Sequence, residues 1–349
     1  MSAIRDLGKY KIFIPDADDI AWAEKIIAEA KALNSEYLSA NPVPEPEMKI
    51  SGTFICGHAP NYDFINMTGA GVKEWNELFL RLRSYGADTV LFQSALWAEL
   101  NECYYRSRAF ADMRQFNTIE PMLESAEKNG MDVFLGGYGS AAGWAPEMSA
   151  RELSDEINKH KICLHELLKL GKVKGFYFPC ETAFEGKRDQ AKEQRMRRIY
   201  KEFCDTVKEI DPDALVICSP ATKVFDGMDD DFTGAWEAML DGVAMDILMP
   251  QDSVGANCCP LAKQRQMWQL WRRVADSSGK KLWANVELFN RTSYTAADGL
   301  GAVPLERLKH QIANVTPFAE KLCSWEMVSF PLLSEELHRF LQSGGKISK

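Results

Sequence analysis

Short apolar runs recur along the chain, and a longer amphipathic segment follows most of them. Each run is almost continuously apolar and ends in small or polar residues. Eight runs are present, at residues 52–57, 87–93, 131–137, 173–181, 214–220, 245–252, 282–289 and 322–330. Strands without regular apolar–polar alternation are typical of parallel sheets, which are covered on both faces. The pattern therefore predicts eight buried parallel strands.

The segments between the runs have helical periodicity, with apolar residues three and four positions apart. The clearest examples are residues 72–86, 119–130 and 196–212, each with Gly or Pro at its C-terminal side. Alternating strands and helices of this kind form either a doubly wound sheet or a closed barrel. Eight units favour the barrel, so we predict a single (β/α)8 TIM barrel over residues 49–349.

The first 48 residues differ from this pattern. Residues 10–15 predict a strand, residues 16–33 predict a helix, and residues 41–49 form a Pro-rich connector. This piece is too short to bury a core of its own. We expect a short strand–helix extension that packs on the barrel.

Composition narrows the range of partners. Hydrophobic residues make up 46% and charged residues 26% of the 349 residues, which is typical of a globular protein with a sizeable core. The net charge of −9 argues against nucleic acid or an anionic membrane as partner. No apolar stretch has the length of a signal-peptide core or of a membrane span. We expect a cytoplasmic protein, and the sequence leaves its oligomeric state open.

The metal-binding residue types do not form a known motif. The nine cysteines are odd in number and include no CxxC pair, so we expect reduced thiols. Cys258 and Cys259 are adjacent but have no companion histidine cluster. His160 and His165 are five residues apart, which is not the HExxH spacing that puts two ligands on one helix face. We therefore predict neither a bound metal nor a cofactor.

Active sites of such barrels lie at the C-terminal ends of the strands, so polar and aromatic residues there are the candidates. Aromatic rings among them are suited to stacking on the apolar faces of sugars. The candidates are His58, Gln93, Tyr138, Trp144, Glu181, Gln251, Asp252, Asn285, Glu287, Trp325 and Glu326.

Glu181 and Glu287 are the most informative pair, because each ends an apolar strand where a carboxylate without a function is unfavourable. Retaining glycoside hydrolysis requires two carboxyl groups: one protonates the departing oxygen, and the other attacks the anomeric carbon. The placement on strands four and seven resembles the large clan of retaining glycosidases with acid/base and nucleophile on those strands. That resemblance implies Glu181 as acid/base and Glu287 as nucleophile. Cys180 departs from the clan, in which Asn precedes the acid/base.

Several segments resemble domain-of-unknown-function family 4434, over roughly residues 50–331. The most specific pieces are a PxE at Pro179 and Glu181, a QDxxG from Gln251 to Gly255, and an NxExF from Asn285 to Phe289. The resemblance implies a TIM barrel of glycoside-hydrolase type. We therefore expect a glycosidase for a small oligosaccharide or glycoside, in which the nine other strand-end candidates bind substrate.

Two other functions stay open at this point. Glu181, Asp252, Glu287 and Glu326 end four strands, and oxygen ligands of this kind suit Mn²⁺ or Mg²⁺ in a sugar isomerase, epimerase or lyase. The departure at Cys180 also allows a sugar-binding barrel without catalysis.

Overall fold

The computed structural model describes residues 3–6, 11–14, 17–57, 66–145, 147–184, 186–223, 229–293 and 299–345. Eight parallel strands close into one barrel, which confirms the predicted fold. The barrel strands are β1 (Ile50–Ile55), β2 (Thr89–Phe92), β3 (Asp132–Gly136), β4 (Gly175–Phe178), β5 (Leu215–Cys218), β6 (Ile247–Leu248), β7 (Lys281–Glu287) and β8 (Lys321–Trp325). Their order around the barrel follows the chain, and β8 pairs with β1 to close it.

The barrel interior is a packed core, because successive strand residues point alternately inward and outward. The inward residues form one cluster: Phe54, Leu91, Phe134, Tyr177, Ile217, Ile247, Met249 and Cys323. The outward residues join a larger core under the helices. Continuing the same alternation toward the C-terminal strand ends indicates which candidate side chains face the mouth of the barrel.

The helices cover the outside of the barrel. They are α1 (Ala17–Ala40), α2 (Val72–Ser84), α3 (Ile119–Lys128), α4 (Ala150–Leu167), α5 (Gln190–Ile210), α6 (Asp229–Leu240), α7 (Leu261–Ser278), α8 (Leu305–Val315) and α9 (Glu335–Gln342). Of these, α4, α5 and α9 begin at a side-chain cap. At the start of α4, Ser149 and Glu152 form a reciprocal capping box. The three helices predicted from periodicity are confirmed as α2, α3 and α5.

The N-terminal extension contains more structure than its sequence predicts. Ala3–Asp6 pairs with Lys11–Ile14 as an antiparallel hairpin, and α1 continues beyond residue 33 to Ala40. The side-chain oxygen of Asn34 accepts a hydrogen bond from the Leu261 backbone N–H at 2.8 Å. These contacts place α1 against the barrel at α7, and a domain boundary at residue 48 stays a prediction.

Small elements at the C-terminal ends of the strands build the rim of the barrel. Four two-residue strands, Leu96–Trp97, Glu102–Cys103, Arg114–Gln115 and Tyr138–Gly139, form one sheet. Phe289–Arg291 and Leu300–Ala302 form a hairpin beyond β7. Among the described helices, none combines the length and the apolar character that a membrane crossing needs. The cytoplasmic location stays a prediction.

Candidate active site

Glu181 and Glu287 occupy inward positions at the ends of β4 and β7. Glu181 has the parity of Tyr177 in the barrel core, and Glu287 has the parity of Trp283, which packs against that core. Both carboxylates also act on one thiol, because the charges of Glu287 and Glu181 each raise the pKa of Cys258. The two predicted catalytic residues therefore both lie near Cys258, at the C-terminal end of the barrel strands.

Glu181 is half-buried and is held by two side chains. The amide N–H of Gln251 and the indole N–H of Trp144 both donate to its carboxylate. Burial raises the pKa of Glu181, and the two hydrogen bonds and the Lys223 charge oppose that rise without cancelling it. A carboxyl group in this environment holds its proton to a higher pH than an exposed glutamate does.

Glu287 is 2% exposed and lies under the loop that follows β6. Its Oε2 accepts a hydrogen bond from the Ala256 backbone N–H at 2.8 Å. A Cβ on Gly255 would lie 2.9 Å from the same oxygen and 2.5 Å from the Phe289 carbonyl oxygen, so the loop approaches closely only because residue 255 is glycine. Burial raises the pKa of Glu287, and the neighbouring Asp252 raises it further.

Asp252 is fully buried and faces α8 rather than the mouth. Its Oδ1 accepts from the Glu287 and Val254 backbone N–H groups, both at 3.3 Å, and its Oδ2 accepts from Gln311 at 2.7 Å. Arg307 donates to Gln311 Oε1 at 3.1 Å and completes this network. The structure therefore places Asp252 behind the nucleophile candidate, where it fixes the backbone that carries Glu287.

Asn285 and Gln251 lie side by side through a backbone bridge between the β6 and β7 ends. Asn285 donates to Ser219 Oγ at 3.1 Å, and its buried Oδ1 has no hydrogen-bond partner within the described part of the chain. A buried amide oxygen without a partner is costly unless a ligand or water supplies a donor. Asn285 Oδ1 is thus able to accept one further hydrogen bond, and its predicted role in substrate binding stays a prediction.

Trp325 and Trp144 supply aromatic surface on two sides of the mouth. Trp325 is paired in register with Glu287, is partly exposed and packs against Phe54 at a ring-centroid distance of 5.4 Å. Trp144 contacts Glu181 on one side, and the Lys223 ammonium lies 4.9 Å from its ring centroid. Each tryptophan therefore lies beside one of the two carboxylates, and sugar stacking on them stays a prediction.

Three other candidates have partners other than the two carboxylates. Glu326 is buried and accepts hydrogen bonds from the Val328 and Ser329 backbone N–H groups, so it anchors the turn after β8. Tyr138 packs against Phe110 and His160 in the outer layer. Gln93 accepts a hydrogen bond from the Cys56 thiol at 2.9 Å at the β1–β2 side of the barrel. His58 lies outside the described residues.

The four strand-end acids do not form one metal-binding set. Asp252 and Glu287 are adjacent, Glu181 is paired with Gln251, and Glu326 is bound to its own turn. Over the described residues, the one group of three metal-ligating side chains with mutually close donor atoms is Glu156, His160 and Cys180. That group includes none of the four acids, so this arrangement disfavours the metal-dependent isomerase hypothesis.

Sequence reasoning missed the residues that support the site from other elements. Arg307 and Gln311 lie on α8, where polar residues are ordinarily read as a solvated face. Cys258 and Lys223 are in loops and match no motif. The only sequence signal among the supporting residues is Gly255, which belongs to the QDxxG piece.

The closed ring of eight parallel strands and the helices around it define a (β/α)8 barrel. The model of the family described as "Domain of unknown function (DUF4434)" matches residues 50–333, and the chain belongs to that family. A search of curated proteins found no match.

Solved structures with the same fold have glycosidase names. A putative alpha-L-fucosidase from Bacteroides thetaiotaomicron VPI-5482 is 17% identical, has a TM-score of 0.70, and the match covers 88% of this chain and 96% of that chain. The endo-beta-1,4-mannanase from Thermotoga petrophila is 11% identical and has a TM-score of 0.52. That match covers 88% of this chain and 80% of the mannanase chain. The beta-glycosidase BGL167 is 11% identical and has a TM-score of 0.52. That match covers 88% of this chain and 99% of the BGL167 chain. At these identities the similarity establishes the fold alone.

Proposed function

We propose that this protein is a retaining glycoside hydrolase for a small oligosaccharide or glycoside, with Glu181 as acid/base and Glu287 as nucleophile. The observation that supports the proposal most is the pair of carboxyl groups after β4 and at the end of β7, both of which act on the Cys258 thiol. Other features support the proposal, because a sugar site needs both hydrogen-bonding groups and aromatic faces. They are the donors around Glu181, the unpaired Oδ1 of Asn285 and the two tryptophans.

The reaction has two displacements. In the first, a Glu287 oxygen attacks the anomeric carbon, the glycosidic C–O bond breaks toward the leaving oxygen, and Glu181 donates its proton to that oxygen. In the second, the Glu181 carboxylate takes a proton from water, and the water oxygen attacks the anomeric carbon. The ester bond to Glu287 then breaks and restores its carboxylate. Two inversions give overall retention.

The environments of the two carboxyl groups affect these roles in different ways. Glu181 needs its proton in the first step, and burial raises its pKa. Glu287 needs to be ionised and directed. The Ala256 N–H holds one of its oxygens, but burial and the Asp252 charge raise its pKa to about 8 against the opposing effects of that hydrogen bond, Arg307 and Arg291. Activity should therefore fall at acid pH as Glu287 becomes protonated.

Kinetics of two variants test the proposal. Glu287→Gln should abolish turnover of every glycoside. Glu181→Gln should lower kcat/KM about 10²–10⁴-fold for poor leaving groups but much less for activated aryl glycosides, which need little protonation. The exposed Glu127→Gln is the matched control and should keep full activity. A Glu287→Gln protein that is folded and fully active would overturn the assignment.

A mechanism-based label distinguishes retention from inversion. A 2-deoxy-2-fluoro glycoside with a good leaving group should leave a glycosyl ester on Glu287, detectable by peptide mass spectrometry. A product that first appears with the opposite anomeric configuration, without any ester, would contradict the retaining mechanism.

A further inference from the structure

A second cluster of reactive side chains lies behind the end of β4, on the opposite side of that strand from the barrel core. Glu156 and His160 are one turn apart on α4, and Cys180 follows β4 and has the outward parity of Phe178. All three side chains are buried, at 7%, 1% and 1% exposure. Cys180 immediately precedes Glu181 in the chain, but its side chain faces the helices.

The donor atoms of the three side chains converge on one point. His160 Nε2 lies 3.2 Å from Glu156 Oε1 and 3.7 Å from Cys180 Sγ, and Cys180 Sγ lies 3.8 Å from Glu156 Oε1. Zinc binds sulfur at about 2.3 Å and nitrogen or oxygen at about 2.0–2.2 Å in tetrahedral geometry. Those bonds require separations of about 3.4 Å between N and O and about 3.6 Å from S to either. The three observed edges match one face of that tetrahedron within about 0.2 Å.

We propose that Glu156, His160 and Cys180 bind one zinc ion. Thiolate, imidazole and carboxylate are the ligand types that zinc takes in proteins. A Zn²⁺ ion with one thiolate, one carboxylate and a neutral imidazole has no net charge, which is the condition for burying such a group at low cost. Ser140, whose hydroxyl lies 3.3 Å from Cys180 Sγ and also contacts Glu156, borders the fourth position.

The site would hold two elements that position the catalytic side of the barrel. It joins α4 to the end of β4, one residue before Glu181. The backbone there is tightly packed, since a Cβ on Gly143 would lie 1.8 Å from the Glu181 carbonyl oxygen. The zinc proposal does not depend on the proposed glycosidase activity, because its ligands lie outside the mouth.

A metal-free cluster is the competing arrangement. In it His160 Nε2–H and the Ser140 hydroxyl donate to Glu156, and the Cys180 thiol donates to the Tyr138 carbonyl oxygen at 3.5 Å. His160 Nδ1 lacks a hydrogen-bond partner among the described residues in either case, so that atom does not distinguish the two. Metal content does distinguish them.

The test uses full-length, tag-free protein purified from zinc-supplemented cells, with zinc measured by mass spectrometry after dialysis. One zinc per chain is expected. Cys180→Ser and His160→Asn should each weaken binding by at least about a hundredfold, the upper range for loss of even a supporting residue. Cys163→Ser and His165→Asn, on the same helix but outside the cluster, should retain one zinc per chain.

Cobalt provides a second readout that reports the ligands directly. Protein from cobalt-supplemented cells should show the intense visible absorption of tetrahedral Co²⁺ and a near-ultraviolet thiolate-to-cobalt band. The thiolate-to-cobalt band should be absent in Cys180→Ser. If that variant does not fold, Glu156→Gln, of nearly the same shape, should show the same loss of metal. Wild-type protein without zinc or cobalt, or with metal that Cys180→Ser retains, would overturn the proposal and establish the metal-free cluster.

Discussion

Glu287 shares its buried surroundings with a second acid that does not face the mouth. Asp252 holds the Glu287 backbone N–H, and its charge is the second cause, after burial, of the raised pKa of Glu287. Two close carboxylates disfavour each other's ionised forms. The acid that positions the nucleophile candidate therefore also delays its ionisation.

Asp252→Asn should separate these two effects. Asparagine keeps an oxygen for the Glu287 and Val254 N–H groups but removes the charge, so the pKa of Glu287 should fall. We expect the acidic limb of the pH profile of kcat/KM to move to lower pH. The maximum value of kcat/KM should fall by about tenfold or less, because the contact with Gln311 is altered. Asp213→Asn, an exposed site with the same charge change, should leave the profile unchanged. An unmoved acidic limb in Asp252→Asn would show that another group controls it.

At the scale of elements, the loop after β6 sets the position of Glu287. The loop includes two non-glycine residues with positive φ, Ser253 at 55° and Asn257 at 62°. Such residues persist only where the surroundings enforce the conformation. The loop presents the Ala256 N–H to Glu287 and brings Gly255 against it.

Gly255→Ala should therefore impair catalysis through the loop. The new Cβ would lie 2.5 Å from the Phe289 carbonyl oxygen and 2.9 Å from Glu287 Oε2, so the loop or the carboxylate has to move. A displacement of about 1 Å at a reacting group can cost about a hundredfold in rate, and we expect a loss of that order in kcat. Gly301→Ala, with open space at its Cβ, is the control and should change kcat little. Equal kinetics for the two variants would mean that the loop does not position Glu287.

The turn after β8 has an acid of its own, and its protonation should affect stability. Burial raises the pKa of Glu326 from an ordinary value of 4.5 to about 7, although the Ser329 and Val328 N–H groups oppose the rise. A raised acid pKa stabilises the folded state fully below the unfolded-state pKa, and that contribution is lost as pH rises through about 7. Glu326→Gln removes this titration while keeping an acceptor oxygen.

We expect the free energy of unfolding of Glu326→Gln, relative to wild type, to rise between pH 4.5 and 8 by at most about 3 kcal/mol. Urea denaturation at several pH values measures it. Glu335→Gln, exposed at the start of α9, should show no such trend. A constant difference between Glu326→Gln and wild type across this range would rule out Glu326 as the titrating group.

At the scale of the whole molecule, the barrel and its two strand-end glutamates were predictable because burial on both sheet faces leaves a strong mark on sequence. The directions in which the Asp252 and Tyr138 side chains point were not predictable. The sequence does not show at which residue the inward–outward alternation of a strand stops. The cluster behind β4 also escaped prediction. His160 matched no motif, because one of its partners, Cys180, comes from a different element and only the packing of α4 on β4 brings them together.

The contribution of the N-terminal extension to the stability of the whole barrel can be tested directly. Helix α7 begins at Leu261, and its N-cap residue, Pro260, provides no side-chain cap. Asn34 from α1 instead supplies an acceptor to the Leu261 N–H at 2.8 Å. Tyr37 packs edge-on against His310 of α8 at 5.3 Å. If the extension is part of one cooperative unit, breaking these contacts should lower the stability of the entire barrel.

Asn34→Ala should lower the free energy of unfolding by about 1 kcal/mol, the usual effect of losing a helix cap. Unfolding should remain a single transition when followed by tryptophan fluorescence and by far-ultraviolet circular dichroism, because α1 and α7 then unfold together. Ser35→Ala, at the neighbouring exposed position, is the control and should stay within about 0.5 kcal/mol of wild type. Two separated transitions, or an unchanged barrel transition in Asn34→Ala, would show that residues 1–48 pack on the barrel without stabilising it.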